Sequence, residues 1–361
     1  MRIIPLAKPQ VGRREIRAVV KVLKSLNLAQ GPEVKAFESE FSRIVGDRDC
    51  VAVNSGTSAL HLSLLALGVT KGDEVIVPSF TFAATANVVA LVGATPVFVD
   101  IDPRTFNVNP ELILKAVTSK TKAIIVVHLF GLPANMKRIS QIAKENSLLL
   151  IEDAAQAHMA KIGEDFVGTF GDAAAFSFYP TKNMTSAEGG MVVLSNSNDA
   201  RTCRLLRNQG MEIRYQNEIV GYNLRMTDIH ASIGRIQLEK LNRMTDKRIA
   251  NAEYLTNRLE SNSTPFVPEG YVHVYHQYTL RVEKEREEFS KYLLSNGIDN
   301  GVYYPTPVHK LPSFNGSYQL AETEKASKEV LSLPVHPGLR KRDLDRIIRI
   351  FNNGIAKDRH K

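Results

Sequence analysis

The chain has 361 residues, 43% of them hydrophobic, a formal net charge of +8 and two cysteines. That length predicts a substantial core and more than one domain. Cys50 and Cys203 lie far apart and outside any motif, so a disulfide scaffold and a cysteine-based zinc site are excluded, and no metal site is expected. The opening MRIIPLAKPQVGRREI lacks an apolar run of signal-peptide length, and windows such as VVALVGATPVFVD are too short and broken to span a bilayer. A soluble, cytoplasmic protein is expected, with no membrane or nucleic-acid partner, because the positive charge is spread and accompanies no recognised binding motif. A diffuse positive field of this kind attracts anionic substrates such as nucleotides. No fixed repeat or low-complexity block is present, and only residues 357–361 read as irregular.

Strand-length apolar segments alternate with amphipathic helical ones over the first two thirds. CVAV (50–53), EVIVP (74–78), PVFVD (96–100), AIIVV (123–127) and LLLIED (148–153) read as strands, and AAAF and MVVLS flank the turn that holds Lys182. Their continuous Val and Ile content suits strands covered on both faces. Between them SALHLSLLAL, AATANVVALV, ELILKAVT and MKRISQIAKENS read as helices, the third started by Asn109 as cap and Pro110 at its first position. The alternation predicts an α/β fold, a mostly parallel sheet wrapped by helices with right-handed crossovers. A long helical region runs from Asp228 towards Ser261 with a break expected near residues 242–245. Beyond it HQYTLRV (276–282) alternates like a strand with one exposed face, and FSKYLLSNG (289–297) reads as a helix ended by Gly. RKRDLDRIIR (340–349) reads as a helix with Leu344, Ile347 and Ile348 on its apolar side. The expected division is a large domain over residues 1–245 and a smaller α+β domain over 246–361.

Three stretches carry chemistry. NSGTSALHL places Gly56 and Thr57 where a strand enters a helix, so free backbone N–H groups, hydroxyls and the helix dipole suit a phosphate there, although an ordinary helix cap reads the same way. No GxGxxG or GxxxxGK[ST] is present, so dinucleotide and P-loop sites lack support. IEDAAQAH ends a strand on Asp153, at the sheet edge where α/β proteins bind ligands. SFYPTKNMTSAEGGM sets Lys182 in a turn of small residues. Pyridoxal 5′-phosphate (PLP) uses these groups together: a Lys for its aldehyde, an acid beside its ring nitrogen and an anion site for its phosphate. HVYH (273–276) has metal-like spacing but no neighbouring carboxylate motif, and reads as structural, as do His128 and His158.

With these motifs the chain resembles, end to end, the DegT-type nucleotide-sugar aminotransferases, a branch of the fold-type I PLP-dependent transferases. PLAKP, QGPEVKAFESEF, NSGTSALHL, GDEVIVPSFTFAATANV, GATPVFVDID, VHLFG, IEDAAQAH, FSFYPTKNMTSAEGGM, GYNLRMTDIHASIG, YYPTPVH and LSLPVHPGL follow its pattern in order. The resemblance implies catalytic roles for Lys182 and Asp153, Gln156 against the cofactor ring and Phe82 stacked on its other side. It implies Gly56, Thr57 and Ser177 at the phosphate, reached also by Asn223 from a neighbouring subunit, hence a homodimer with shared active sites. His309, Arg214 and Tyr215 match positions near the substrate. The implied reaction moves an amino group from L-glutamate to a nucleotide-linked keto sugar, a keto-deoxyhexose, by a ping-pong route, in amino sugar and polysaccharide biosynthesis. Alternatives are a glutamine-dependent keto-inositol aminotransferase and a non-catalytic PLP-binding regulatory protein. A dehydratase of the same fold is disfavoured, since there the Lys is replaced by His. Two departures stand out: many members carry Gly where Met159 and Ala187 stand, which is expected to reshape the pocket rim.

Overall fold

A computed structural model describes residues 2–359 apart from positions 262, 284 and 315. In chain order the helices are α1 (Arg13–Ser25), α2 (Pro32–Ser42), α3 (Gly56–Ala66), α4 (Ala84–Leu91), α5 (Pro110–Ala116), α6 (Met136–Glu145), α7 (Ser197–Arg207), α8 (Asp228–Thr256), α9 (Arg286–Ser295), α10 (Ala321–Glu329) and α11 (Lys341–Arg359). The strands are β1 (Asp49–Val53), β2 (Glu74–Pro78), β3 (Thr95–Val99), β4 (Thr121–Val127), β5 (Leu149–Asp153), β6 (Lys161–Ile162), β7 (Asp165–Phe166), β8 (Ala173–Ser177), β9 (Gly190–Leu194), β10 (Tyr271–Val272), β11 (Tyr278–Arg281) and β12 (Val330–Leu333).

The main sheet has seven strands in the order β1-β9-β8-β5-β4-β2-β3. The pairs β2–β3, β2–β4, β4–β5 and β5–β8 are parallel, and β9 runs antiparallel to both β1 and β8. The expected α/β class and mostly parallel sheet are therefore found. Two successive reversals at β9 restore the direction, so β1, β5 and β8 all point the same way. Successive strand residues face opposite sides. Val51 and Val53 pack with Leu60 and Leu64 of α3, whereas Cys50 and Ala52 pack with Phe37 and Phe41 of α2. Burial on both faces is the reason the strand sequences read as unbroken apolar runs.

The helix starts follow local chemistry. Asn109 accepts a hydrogen bond from the Glu111 N–H (3.0 Å) and Pro110 opens α5, where the missing N–H costs nothing. Ser55 caps α3 by accepting from Ser58 N–H (3.0 Å).

The break expected at 242–245 is absent: α8 is continuous over 29 residues. Asn242 and Arg243 face solvent while Leu241, Met244 and Thr245 are buried, so the polar residues lie on the outer stripe of one helix. The packing changes partners along it. Leu241 and Met244 join the main-sheet cluster, and Ala252 and Leu255 join a second cluster with Phe289, Leu293, Ile347 and Phe351. Ile4, from the N-terminal segment, packs into that second cluster, and the antiparallel pair β11–β12 contributes Leu280 and Leu331. Lys357 to Arg359, expected to be irregular, continue α11; positions 360 and 361 lie outside the described residues. No described helix is long and apolar enough to cross a membrane.

Candidate active site

Because β1, β5 and β8 share a direction, their C-terminal ends meet at one edge of the sheet. Asp153 is the last residue of β5, Ser177 the last of β8, and β1 runs through Asn54 and Ser55 into α3. A cavity of about 440 Å³ opens there, with Gly56, Thr57, Phe82, Asp153, Gln156, Ser177 and Lys182 all in its wall. Seven of the residues singled out from sequence thus come together in one place.

Lys182 sits in the β8–β9 connection, which its own backbone bonds hold shut. Phe178 N–H donates to Gly189 C=O (2.9 Å), Ser186 N–H to Phe178 C=O (3.0 Å) and Lys182 N–H to Tyr179 C=O (2.9 Å). Asn183 ties the turn to the 270s segment by donating to Val274 C=O (3.1 Å). Among the described residues the Lys182 amine has no hydrogen-bond or ion-pair partner. Burial lowers its pKa to about 8, and the nearby Asp153 charge opposes that shift.

Asp153 is 6% exposed. Its Oδ2 accepts from Thr85 Oγ1 (2.8 Å) and its Oδ1 from Ala155 N–H (3.2 Å). Burial pushes its pKa above the usual carboxylate range, while these donors and Lys182 pull the other way. The neighbouring Glu152 points to the opposite face. It is fully buried and accepts N–H groups from Gly168 (2.8 Å), Phe170 (2.9 Å) and Gly171 (2.8 Å) and Nε2–H of His128 (3.0 Å). His128 Nδ1 accepts from Ala134 N–H (3.0 Å), which assigns the ring proton to Nε2. For Glu152, burial raises the pKa, but His128 and the backbone donors outweigh it and the net shift is downward. This pair fixes β5 from below, so Asp153 is presented to the cavity on a rigid strand.

Gly56 and Thr57 open α3, where the first N–H groups have no intrahelical acceptor and the helix dipole favours an anion. A Cβ on Gly56 would lie 2.7 Å from Ser177 Cβ, so only glycine lets the helix start and Ser177 approach this closely. Gln156 is pinned: Oε1 accepts from Phe130 N–H (2.7 Å), and Nε2 donates to Tyr304 Oη (3.1 Å). Phe82 is 60% exposed in the cavity wall, its ring centroid 6.1 Å from that of Tyr304.

Other predicted residues stand elsewhere. His309 is fully buried, with Nδ1 2.6 Å from Ser79 Oγ and Nε2 3.4 Å from Glu324 Oε1; it is not in the cavity wall. Asn223, Arg214 and Tyr215 are exposed and outside the cavity of their own chain, the Arg214 guanidinium lying 4.8 Å from the Tyr215 ring centroid. His158 packs on Phe176 and Phe178, and burial drops its pKa to about 3. His273 stacks on Tyr275 (3.9 Å between centroids), whereas His276, read as structural, lines the cavity. Met159 and Ala187 do not line it; both carry positive φ, 69° and 71°.

The sequence reading missed much of the opposite wall: Leu6, Ala7, Gln277, Tyr303, Tyr304, Leu333 and Val335. YYPTPVH carries Tyr303 and Tyr304, but only the tertiary fold brings them to the cavity while His309 of the same motif turns away from it. Thr85, the side-chain donor to Asp153, lay unnoticed in SFTFAAT.

Comparison with known proteins agrees with this geometry. The model of the DegT/DnrJ/EryC1/StrS aminotransferase family matches residues 9–352. A Geobacillus stearothermophilus protein named pleiotropic regulatory protein is 42% identical over 343 residues, covering 92% of this chain and 91% of that one. A UDP-N-acetyl-3-dehydro-alpha-D-glucosamine 3-aminotransferase of Acidithiobacillus ferrooxidans is 40% identical over 341 residues, covering 93% and 92%. The crystal structure of NtdA from Bacillus subtilis with bound cofactor PMP superposes with a TM-score of 0.91 at 31% identity, covering 99% of this chain and 86% of that one. The cavity fits that type of cofactor: an unpartnered buried amine, a buried carboxylate and a glycine cradle at a helix N-terminus converge on it. On this geometry and a family match over nearly its whole length, the chain belongs to the DegT/DnrJ/EryC1/StrS aminotransferase family and is a pyridoxal-phosphate-dependent aminotransferase.

Proposed function

We propose that the enzyme moves an amino group from L-glutamate to a nucleotide-linked keto sugar of the keto-deoxyhexose class, by a ping-pong route, as a homodimer with shared sites. The observation that carries this reading is the convergence of the partly neutral Lys182 amine, the buried Asp153 and the open α3 N-terminus in one cavity. The Acidithiobacillus relative, named for a nucleotide-sugar substrate, supports the acceptor class.

Gly56, Thr57 and Ser177 would hold the cofactor phosphate, Asp153 would serve its ring nitrogen, and Phe82 and Gln156 would flank its ring. When bound, the cofactor supplies an electron sink for a carbanion at the donor's α-carbon. Asp153, ionised, would favour a protonated ring nitrogen, whose positive charge would offset the upward push of burial on the carboxyl. The amine of Lys182 would take and return the proton at the donor's α-carbon. Asn223 of the partner subunit completes the phosphate site, and Arg214 and Tyr215 approach the substrate from the same segment. Cytoplasmic work in amino sugar and polysaccharide biosynthesis follows from this reading.

The test is a panel of nucleotide-linked keto sugars with glutamate, with products read by mass spectrometry. An amino sugar product is expected. Lys182→Ala should lower turnover by about 10²–10⁴-fold while still binding cofactor noncovalently. Retained turnover in that variant refutes the role of Lys182. No product from any nucleotide-linked acceptor with glutamate overturns the proposed substrates.

A further inference from the structure

We propose that a second, basic groove binds a diphosphate-bearing anion at a site separate from the cofactor cavity. The groove has a volume of about 570 Å³ and runs between the N-terminal segment from Lys8 to Gly12, Pro337 and one face of α8. Lys240, Arg243 and Lys247 line it from the helix, at spacings that put them on the same side, and Lys8 faces them. Among the described residues its wall contains no acidic one. Lys240 is ion-paired to the buried Glu15. Lys8, Arg243 and Lys247 have no carboxylate within ion-pair distance among the described residues. Like charges three and four residues apart on a helix repel each other. Aligned on a concave surface, they focus a positive potential that an anion relieves.

A second observation lies beneath the groove. A recess of about 10 Å³ shares Lys8, Pro9, Gln10, Met244 and Pro337 with it and is walled further in by Arg248 and by the turn that carries Lys182. Arg248 is 6% exposed. Its Nη1 donates to the carbonyls of Tyr275 (3.2 Å) and His276 (3.4 Å), but among the described residues its Nε has no partner and no carboxylate is paired with it. A buried cation without a counter-charge is costly. Its field adds to that of the groove, which has three uncompensated cations of its own. A diphosphate, with about two to three negative charges at neutral pH, matches that count, and the planar guanidinium of Arg243 suits phosphate oxygens.

Lys182 lines the recess and the cofactor cavity but not the groove. The recess lies between them and holds at most about one water molecule. The N-terminal segment joins the two sites, since Leu6 and Ala7 stand in the cofactor cavity wall and Lys8 stands in the groove. The shared chemistry is the diphosphate, and its source is free pyrophosphate or a nucleoside diphosphate.

The test is calorimetric titration of cofactor-loaded, borohydride-reduced protein with inorganic pyrophosphate and, separately, with UDP, at physiological ionic strength. A saturable component near one per chain is expected for each probe, weakened at least tenfold in the double variant Arg243→Ser with Lys247→Ser; a further UDP component that this variant leaves unchanged belongs to the nucleotide-sugar site of the proposed function. Cofactor absorbance and unfolding midpoint should match the parent in that variant. In the component that the variant weakens, tighter binding of UDP would identify a nucleoside diphosphate, and equal binding a site that reads the diphosphate alone; both support the groove. A charge-matched control, Lys21→Ser with Lys24→Ser on the exposed side of α1, should leave affinity unchanged. No saturable binding of either probe, pyrophosphate binding retained in the groove variant, or equal weakening by the control overturns the proposal.

Discussion

At Lys182 two effects oppose each other, and burial wins: the amine is driven down to about 8 although Asp153 stands nearby. The neutral amine is the nucleophile towards an aldehyde, and at pH 7 about a tenth of it is neutral. The sign follows: attachment of pyridoxal phosphate to cofactor-free protein should accelerate about tenfold per pH unit below pH 8 and level off above it. Stopped-flow absorbance checks this, and a rate still climbing to pH 10 would contradict the lowered pKa. Gly56 is the second residue whose chemistry is set by a close approach. Gly56→Ala places a methyl 2.7 Å from Ser177 Cβ and 3.3 Å from its Cα, contacts that the rigid end of β8 cannot relieve. A stability loss of about 1–3 kcal/mol in urea unfolding is expected, with weaker cofactor binding by fluorescence titration. Lys182 and Asp153 were legible in sequence because a strand end and a small-residue turn announce them. Tyr304 was not: it enters the cavity through tertiary folding, and its tie to Gln156 leaves no local trace.

Among the elements, the Val- and Ile-rich strands were readable almost to their ends, because burial on both faces leaves a continuous apolar run. The expected break in α8 failed for the converse reason. Polar residues at 242 and 243 punctuate a helix only when Gly or Pro accompanies them, and neither occurs between Gly234 and the end of α8. The loop after β5 and the β8–β9 turn show what the positions of Met159 and Ala187 mean. Glycine in relatives there fits backbone geometry, since both residues sit at positive φ and neither reaches the cavity. Ala187 is exposed, so Ala187→Gly relieves the left-handed strain without losing packing and should raise stability by about 0.5–1 kcal/mol. Met159 packs against the α2 side of the core, so Met159→Gly should bring no such gain. Urea midpoints of the two variants separate strain from packing, and a fall in the Ala187→Gly midpoint would count against the strain argument.

At the scale of the whole molecule, the cavity of one chain lacks Asn223, Arg214 and Tyr215, all held out on an exposed segment. That segment also exposes Ile213, Val220 and Tyr222, apolar surface of the kind that a subunit contact covers. If Asn223 acts across a dimer, each site takes Lys182 from one chain and Asn223 from the other. Lys182→Ala and Asn223→Ala homodimers should then both be impaired. Dissociated, mixed and reassociated, they should form heterodimers in which one site carries both defects and the other carries neither. Half-of-sites activity should reappear, approaching about a quarter of the parental value in a statistical mixture of equal parts. If Asn223 served its own chain, every site in the mixture would keep one defect and no activity would return. The recovered activity therefore distinguishes a shared site from two independent ones.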